Sequence, residues 1–366
     1  MISFKKYLSH RIKSTFILTA VLCLFAIILI ATTLKVRQYS YYVDIFDELG
    51  YPTGAQELRE GVSVRNLGII FVILGALCTV VPVLELSGLK NKRNADTIYS
   101  LPIDRRKLGA AHFANGFLQI LAVYLCAAVT AALMIIPRGL GFLHLQYLPL
   151  LILLPIPASL ILYAYFCFLF NEANSTADGC VFIASGILTP FIFCLTMDTY
   201  DLHVNGKYVQ SIFNKMNSAH PLPYFNLWKI SDVFGDGLNH RNLSFSYDNL
   251  DIAMIVVWCI IGLLATIGFY LAFSRKRTEK IGDISSSFAG YRAFIPLGMF
   301  CISTYSFQNG EIVLCIVGAI AAIIGYMIYR RSIRIRTSDF ICIGASIAVA
   351  ILLHIAEEAM ITGRGI

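Results

Sequence analysis

Apolar residues fall into nine runs along this chain, at about 15–34, 67–86, 114–136, 148–170, 180–197, 252–273, 293–308, 312–329 and 340–356. A helix rises about 1.5 Å per residue, so roughly 17–25 apolar residues cross a hydrocarbon core of about 30 Å. The pattern predicts an all-α, polytopic integral membrane protein with about nine transmembrane helices. The seventh run is short. The first could pass for a signal peptide, but no small-x-small cleavage site follows it, so it reads as a retained first helix. Ahead of it Phe4, Leu8 and Ile12 repeat every four residues among Lys5, Lys6, Arg11 and Lys13. That spacing suits either a short basic helix lying on a membrane face or an ordinary basic flank.

The polar breaks carry their own patterns. Segment 89–108 holds few helix breakers over 91–99, and Lys92 and Arg93 stand one turn before Asp96, in reach of weak helical pairing. Pro102 disfavours helical geometry at Leu101, and Asp104 is placed to cap a new helix beginning at Arg105. The prediction is a short surface helix, a turn and a basic entry into the third span. Ile98, Tyr99 and Leu101 would then be exposed apolar groups, which make sense when a partner covers them. The longest polar segment, 198–251, contains Val209, Ile212, Phe213 and Met216 at helical spacing. Pro221 and Pro223 follow, then Tyr224, Phe225, Leu227, Trp228 and Ile230. Aromatic residues of this kind favour a membrane–water interface. The segment reads as an interfacial helix, a proline break and an apolar stretch dipping back toward the bilayer.

Composition agrees with the runs. The 366 residues are 57% hydrophobic and only 14% charged, with mean hydropathy +0.71. Soluble domains carry about 25% charged residues, so lipid must be the main solvent. Charge then sets the topology, because Lys and Arg accumulate on the cytoplasmic side. With the N-terminus inside, the inner segments hold 19 of the 29 basic residues and the shorter share of acidic ones, 7 of 22. An N-in, C-out chain in a bacterial cytoplasmic membrane is expected. The net charge of +7 is mostly this topology signal and not a nucleic-acid patch. All ten cysteines lie in or at the ends of apolar runs without metal-ligand spacing, so they read as small core- or lipid-facing residues.

Several chemistries find no support in the pattern. No Gly-rich loop ends in Gly-Lys-Ser/Thr, and no His-Glu-x-x-His or Cys-x-x-Cys occurs. The chain is therefore expected to be no enzyme and to bind no ATP or metal itself. His354, Glu357 and Glu358 share a helix face but read as the outer end of the last span. The spans contain almost no ionisable residues, where ion-coupled carriers place them at mid-membrane. Any transport would be powered from elsewhere and would suit amphipathic, peptide or lipid-like cargo. Pro155 and Pro157 in the fourth run are a candidate hinge.

The stretch Ala95-Asp96-Thr97-Ile98-Tyr99-Ser100-Leu101-Pro102-Ile103-Asp104-Arg105-Arg106-Lys107-Leu108 resembles the segment after the second span in ABC transporter permeases of the type-2 exporter class. In that family the segment is a coupling helix seated in a groove of a cytosolic ATPase. Ser274-Arg275-Lys276-Arg277-Thr278-Glu279-Lys280-Ile281-Gly282-Asp283 is similar to the family's tail after the sixth span, and segment 198–251 to its membrane-dipping outer segment, here carried by Phe213, Tyr224, Phe225 and Trp228. The resemblance covers residues 1–283 as a six-helix permease core. Residues 284–366 resemble the three additional helices of a longer Gram-positive-type subgroup. It implies an ATP-driven exporter subunit whose partners are ABC ATPase subunits, a second permease subunit and membrane lipid, with ATP and Mg held by the ATPase. Ala95, Asp96, Ile98, Tyr99, Ser100, Leu101, Pro102, Arg105 and Arg106 would dock it. The alternative reading is a non-transporting membrane sensor or scaffold that uses the same loop.

Overall fold

A computed structural model describes residues 4–46, 52–139, 145, 148–198, 201–204, 207–210, 222–231, 249–276, 279, 281–283, 285 and 288–362. The chain is a bundle of long apolar helices. Seven are long and apolar enough to cross a membrane, by length and composition. They are α1 (Phe4–Thr33), α2 (Ile69–Ser87, extended by a 3₁₀ turn Gly88–Lys90), α4 (Arg105–Gly139), the pair α5 (Leu148–Leu153) and α6 (Pro155–Glu172), α9 (Asn249–Arg275), α11 (Ile312–Arg330) and α12 (Thr337–Thr362). Packed among them are α7 (Thr176–Asp198), whose apolar part is only Thr176–Ile192, and α10 (Ala293–Gln308), entered through a π turn Phe288–Arg292. Between them α3 (Lys92–Tyr99) and α8 (225–231) are short.

The main pairings are α1 on α4, α2 on α4 and α6, α6 on α9, and α10 on α7, α11 and α12. Their shared core is aromatic: Tyr163, Phe166, Phe170, Phe182, Phe269 and Phe273 are fully buried. The opposite faces are apolar and uncovered, as at Ile17 (76% exposed), Leu263 (64%), Val313 (72%) and Ile341 (69%). Faces of this size and character need lipid, not water, as neighbour.

Three features differ from the pattern-based expectation. The stretch between the first two runs, to which no element was assigned, forms an antiparallel hairpin, β1 (Lys35–Phe46) with β2 (Pro52–Arg65), paired from Lys35↔Arg65 to Phe46↔Pro52. Residues 4–14 are not a separate surface helix, because α1 runs unbroken through them. Val209 does not begin an interfacial helix. It lies in β4 (Lys207–Gln210), opposite Leu202 of β3 (Asp201–Val204), while Ile212, Phe213 and Met216 fall outside the described residues. The fourth span divides at Leu154, with Pro155 opening α6 and Pro157 in its first turn. Proline lacks an N–H, and the first turn is where that donor has no partner to lose.

Candidate functional site

The loop between α2 and α4 folds as its residues dictate. Asn91 caps α3, its side-chain oxygen accepting from the Arg93 N–H at 3.2 Å. Helix α3 ends at Ser100, before Pro102. Asp104 then caps α4, its Oδ1 accepting from the Arg106 N–H at 3.2 Å. Capping of this kind is worth about 1 kcal/mol per helix end. One face of α3 is anchored by Ala95, which is fully buried.

The exposed face is polar, and here the expectation needs correcting. Ile98, Tyr99 and Leu101 are half-buried, and Ile98 and Tyr99 pack against the core. The Tyr99 ring lies 6.3 Å from Phe273 at the end of α9, with the Arg105 guanidinium over it at 5.3 Å from its centroid. Burial pushes the Tyr99 hydroxyl up to about 12, and the Arg105 charge only partly offsets this. What α3 and its turn offer outward is Arg93, Asn94, Asp96, Thr97, Ser100, Pro102, Arg105 and Arg106. Among the described residues no ion pair joins Asp96 to Lys92 or Arg93, so its carboxylate is part of that outward face.

The same loop is fastened to the segment following α9. Arg105 donates to the Lys276 carbonyl at 2.6 Å. Lys90 and Lys276 converge on the last carbonyls of α6, those of Asn171 and Ala173; Lys90 donates to Asn171 at 3.1 Å and Lys276 to Ala173 at 2.6 Å. Cations suit this position, since carbonyls at a helix C-terminus lack intrahelical donors and carry partial negative charge. Burial draws the Lys276 ammonium down to about 8, against the opposing help of its hydrogen bonding with Lys90 and the nearby Glu172. Beyond it Ile281 is buried, Gly282 donates to the Asn174 carbonyl at 3.0 Å, and Arg331 after α11 donates to the Gly282 carbonyl at 3.0 Å. Segment 89–108 and the described residues of 274–283, read separately in the sequence, thus form one basic platform. Close packing at its base requires Gly109, where a Cβ would stand 2.8 Å from the Phe273 ring.

Inside the bundle, next to this platform, lies a polar cluster that sequence reasoning missed. Glu85, near the end of α2, is 3% exposed. Its Oε2 accepts from Arg11 of α1 at 3.1 Å and faces His112 Nδ1 of α4 at 3.5 Å. Its Oε1 accepts from Asn115 at 2.7 Å and from Gln119 at 2.5 Å. Tyr7 reaches His112 Nε2 at 3.2 Å, and Asn115 donates to Thr15 at 3.2 Å. The Tyr163 hydroxyl is buried beside this cluster, with no oxygen or nitrogen partner and only the Cys167 thiol nearby. A buried carboxylate needs such company, because an unpaired one would cost several kcal/mol. The reading of the spans as nearly free of ionisable groups is therefore incomplete. The signal was present: His112, Asn115 and Gln119 stand at i, i+3 and i+7, a polar stripe on one face of an apolar helix.

At the opposite end α8 packs into the bundle. Phe225 is fully buried and Tyr224 is half-buried, its hydroxyl 2.7 Å from Thr79 Oγ1 of α2, while Trp228 is 39% exposed. Lys229 ties α8 to the start of α9 through Asp251 at 2.8 Å. Among the described residues no group of three or more His, Cys, Asp or Glu side chains could hold a metal ion. No protein-family model, curated protein or solved structure matches the chain.

Proposed function

We propose that this chain is the membrane subunit of an ATP-driven exporter of the type-2 ABC class, energised by a separate ATPase. In this reading the basic platform faces the cytosol, the chain crosses the membrane nine times from an inner N-terminus, and it pairs with a second permease subunit in a bacterial cytoplasmic membrane. Cargo would be amphipathic, peptide or lipid-like. The observation that carries the reading is the seat of α3. It is a short, capped, outward-facing helix held between two spans, and Arg105 and Lys90 link its neighbours to the ends of α6 and α9. A push on α3 from a closing ATPase dimer would reach four spans at once. ATP and Mg would bind only in the partner. The test is co-purification of the native complex from membranes, with identification of associated chains. The expected result is a Walker-motif ATPase that is lost in Asp96→Lys while membrane insertion persists. An ATPase retained at wild-type level removes the docking assignment, and a kinase in its place favours a sensor or scaffold.

A second reading has one observation in its favour. The Glu85–His112 pair gives the bundle the buried titratable groups that ion-coupled carriers use. Proteoliposomes holding this chain alone, under an imposed pH gradient, separate the two. Proton entry abolished by Glu85→Gln supports coupling through the cluster, and no entry leaves the ATP-driven reading.

A further inference from the structure

The outer wall of the Glu85 cluster opens on a groove. Lys6, Tyr7, His10, Arg11 and Ser14 of α1 form one side, and Ile98 and Leu101 of the α3 segment form the other, enclosing about 520 Å³. No acidic side chain lines it. Lys6 and His10 are exposed and have no ion-pair partner among the described residues. Arg11 directs Nη2 to Glu85, and its buried Nε has no hydrogen-bond partner. Arg11 thus has Glu85 as its anion, while Lys6 and His10 face the groove with no anion of the protein to answer them among the described residues.

The depth of the groove points to the anion's source. Helix α1 has 30 residues and so is about 45 Å long. A hydrocarbon core takes about 30 Å of that, which leaves about ten residues at headgroup level. Every charged residue of α1 lies in its first ten positions, 4–13. From Ser14 the same helical face continues as Ile17, Leu18, Val21 and Phe25, all exposed, with Ile17 at 76% and Phe25 at 62%. A basic recess that runs into an uncovered apolar track matches a molecule with an anionic head and acyl chains. A soluble phosphate would have no use for the track.

We propose that this groove binds the headgroup of an anionic phospholipid, its phosphate held by Lys6 and His10 and its chains laid along Ile17, Val21 and Phe25. The bound lipid touches Ile98 and Leu101 on one side and, through Tyr7 and Arg11, the Glu85 cluster on the other. Lipid composition thereby bears on the platform directly. The proposal needs only the membrane character of the chain and stands apart from the identity of any cytosolic partner.

Native mass spectrometry of the detergent-purified full chain tests it, with phosphatidylglycerol or phosphatidylcholine added. The expected result is a marked preference for phosphatidylglycerol. The double variant Lys6→Glu/His10→Glu should lower its occupancy by at least about tenfold, since each basic group near a membrane surface contributes measurably to anionic-lipid binding. Lys5→Glu is the control for a charge reversal outside the groove. Lys5 is rotated about 100° from Lys6 and about 140° from His10 around α1 and does not line the groove, so it should keep wild-type occupancy. Ile98→Trp fills the groove without changing charge and should lower occupancy too. An equal loss in Lys5→Glu, no loss in Ile98→Trp, no preference between the two lipids, or full displacement by soluble glycerol phosphate would each overturn the assignment.

Discussion

Asn115 donates to Glu85 Oε1 at 2.7 Å, and this contact joins α4 to α2 inside the bundle, close to where both helices enter the basic platform. Arg11 brings α1 to the same carboxylate. Glu85 is the group around which three helices are registered.

Removing one partner of a buried ion pair leaves the other charge uncompensated, at about 3–5 kcal/mol. Arg11→Met alone is expected to lower the thermal midpoint sharply, and Glu85→Gln alone to do so to a similar or smaller degree, because its amide keeps some hydrogen bonds. The double variant should be more stable than the sum of the two losses. Thermal unfolding in detergent, arranged as a double-mutant cycle, measures the coupling. Additive losses would mean that the pair does not interact as described.

Tyr163 and Gly116 form a second tight contact. A Cβ at Gly116 would stand 2.1 Å from the Tyr163 hydroxyl oxygen and 3.0 Å from its Cζ. Gly116→Ala is expected to destabilise by about 1–3 kcal/mol through overpacking. Tyr163→Phe alone should cost little, since its buried hydroxyl has at most the weak Cys167 thiol contact to lose. Combined with Gly116→Ala it should recover part of the loss. The same melting assay reads both.

An eight-residue helix is marginal on its own, so α3 depends on its cap and its packing. Asn91→Ala removes the acceptor for the Arg93 N–H and should cost about 1 kcal/mol. Amide hydrogen exchange over residues 93–99 should rise several-fold while exchange in α2 and α4 stays unchanged. Uniform exchange across all three helices would show that α3 is held by packing alone.

The Lys276 ammonium titrates near 8, below the usual lysine value, so the unfolded chain binds more protons than the folded one between pH 8 and about 10.5. Its contribution to stability therefore rises with pH through that window, and the penalty for burying the charge is complete below pH 8. The stability difference between wild type and Lys276→Met should shift toward wild type from pH 8 to 10, by no more than about 1.4 kcal/mol per pH unit. A flat difference would place the ammonium in water.

Much of this architecture was legible in the sequence because local chemistry settles it. Apolar runs gave most of the long helices, and Pro102 and Asp104 marked the break between α3 and α4. What escaped depended on partners distant in the chain. Glu85 looked like the polar end of a run until α1 and α4 were seen to surround it. Ile98 and Tyr99 looked exposed because nothing in their own segment shows that Phe273 lies beside them. The β1–β2 hairpin was overlooked for another reason. Val36, Tyr39, Tyr41, Tyr42, Val43, Ile45 and Phe46 are strand formers, but charged and polar residues between them keep the stretch from standing out as an apolar run.

The fasteners of the basic platform have an order in time. Lys90 is synthesised before the α6 carbonyls it will hold, Arg105 long before Lys276, and Gly282 before Arg331. Domains emerge from synthesis N-terminal part first, so the α3 face exists for a while as an unsecured loop. It reaches its final shape only when the chain through Arg331 has been made and inserted. A nascent or prematurely ended chain would present the right residues in the wrong arrangement. The platform's contacts are thus complete only in a chain that has been made through Arg331.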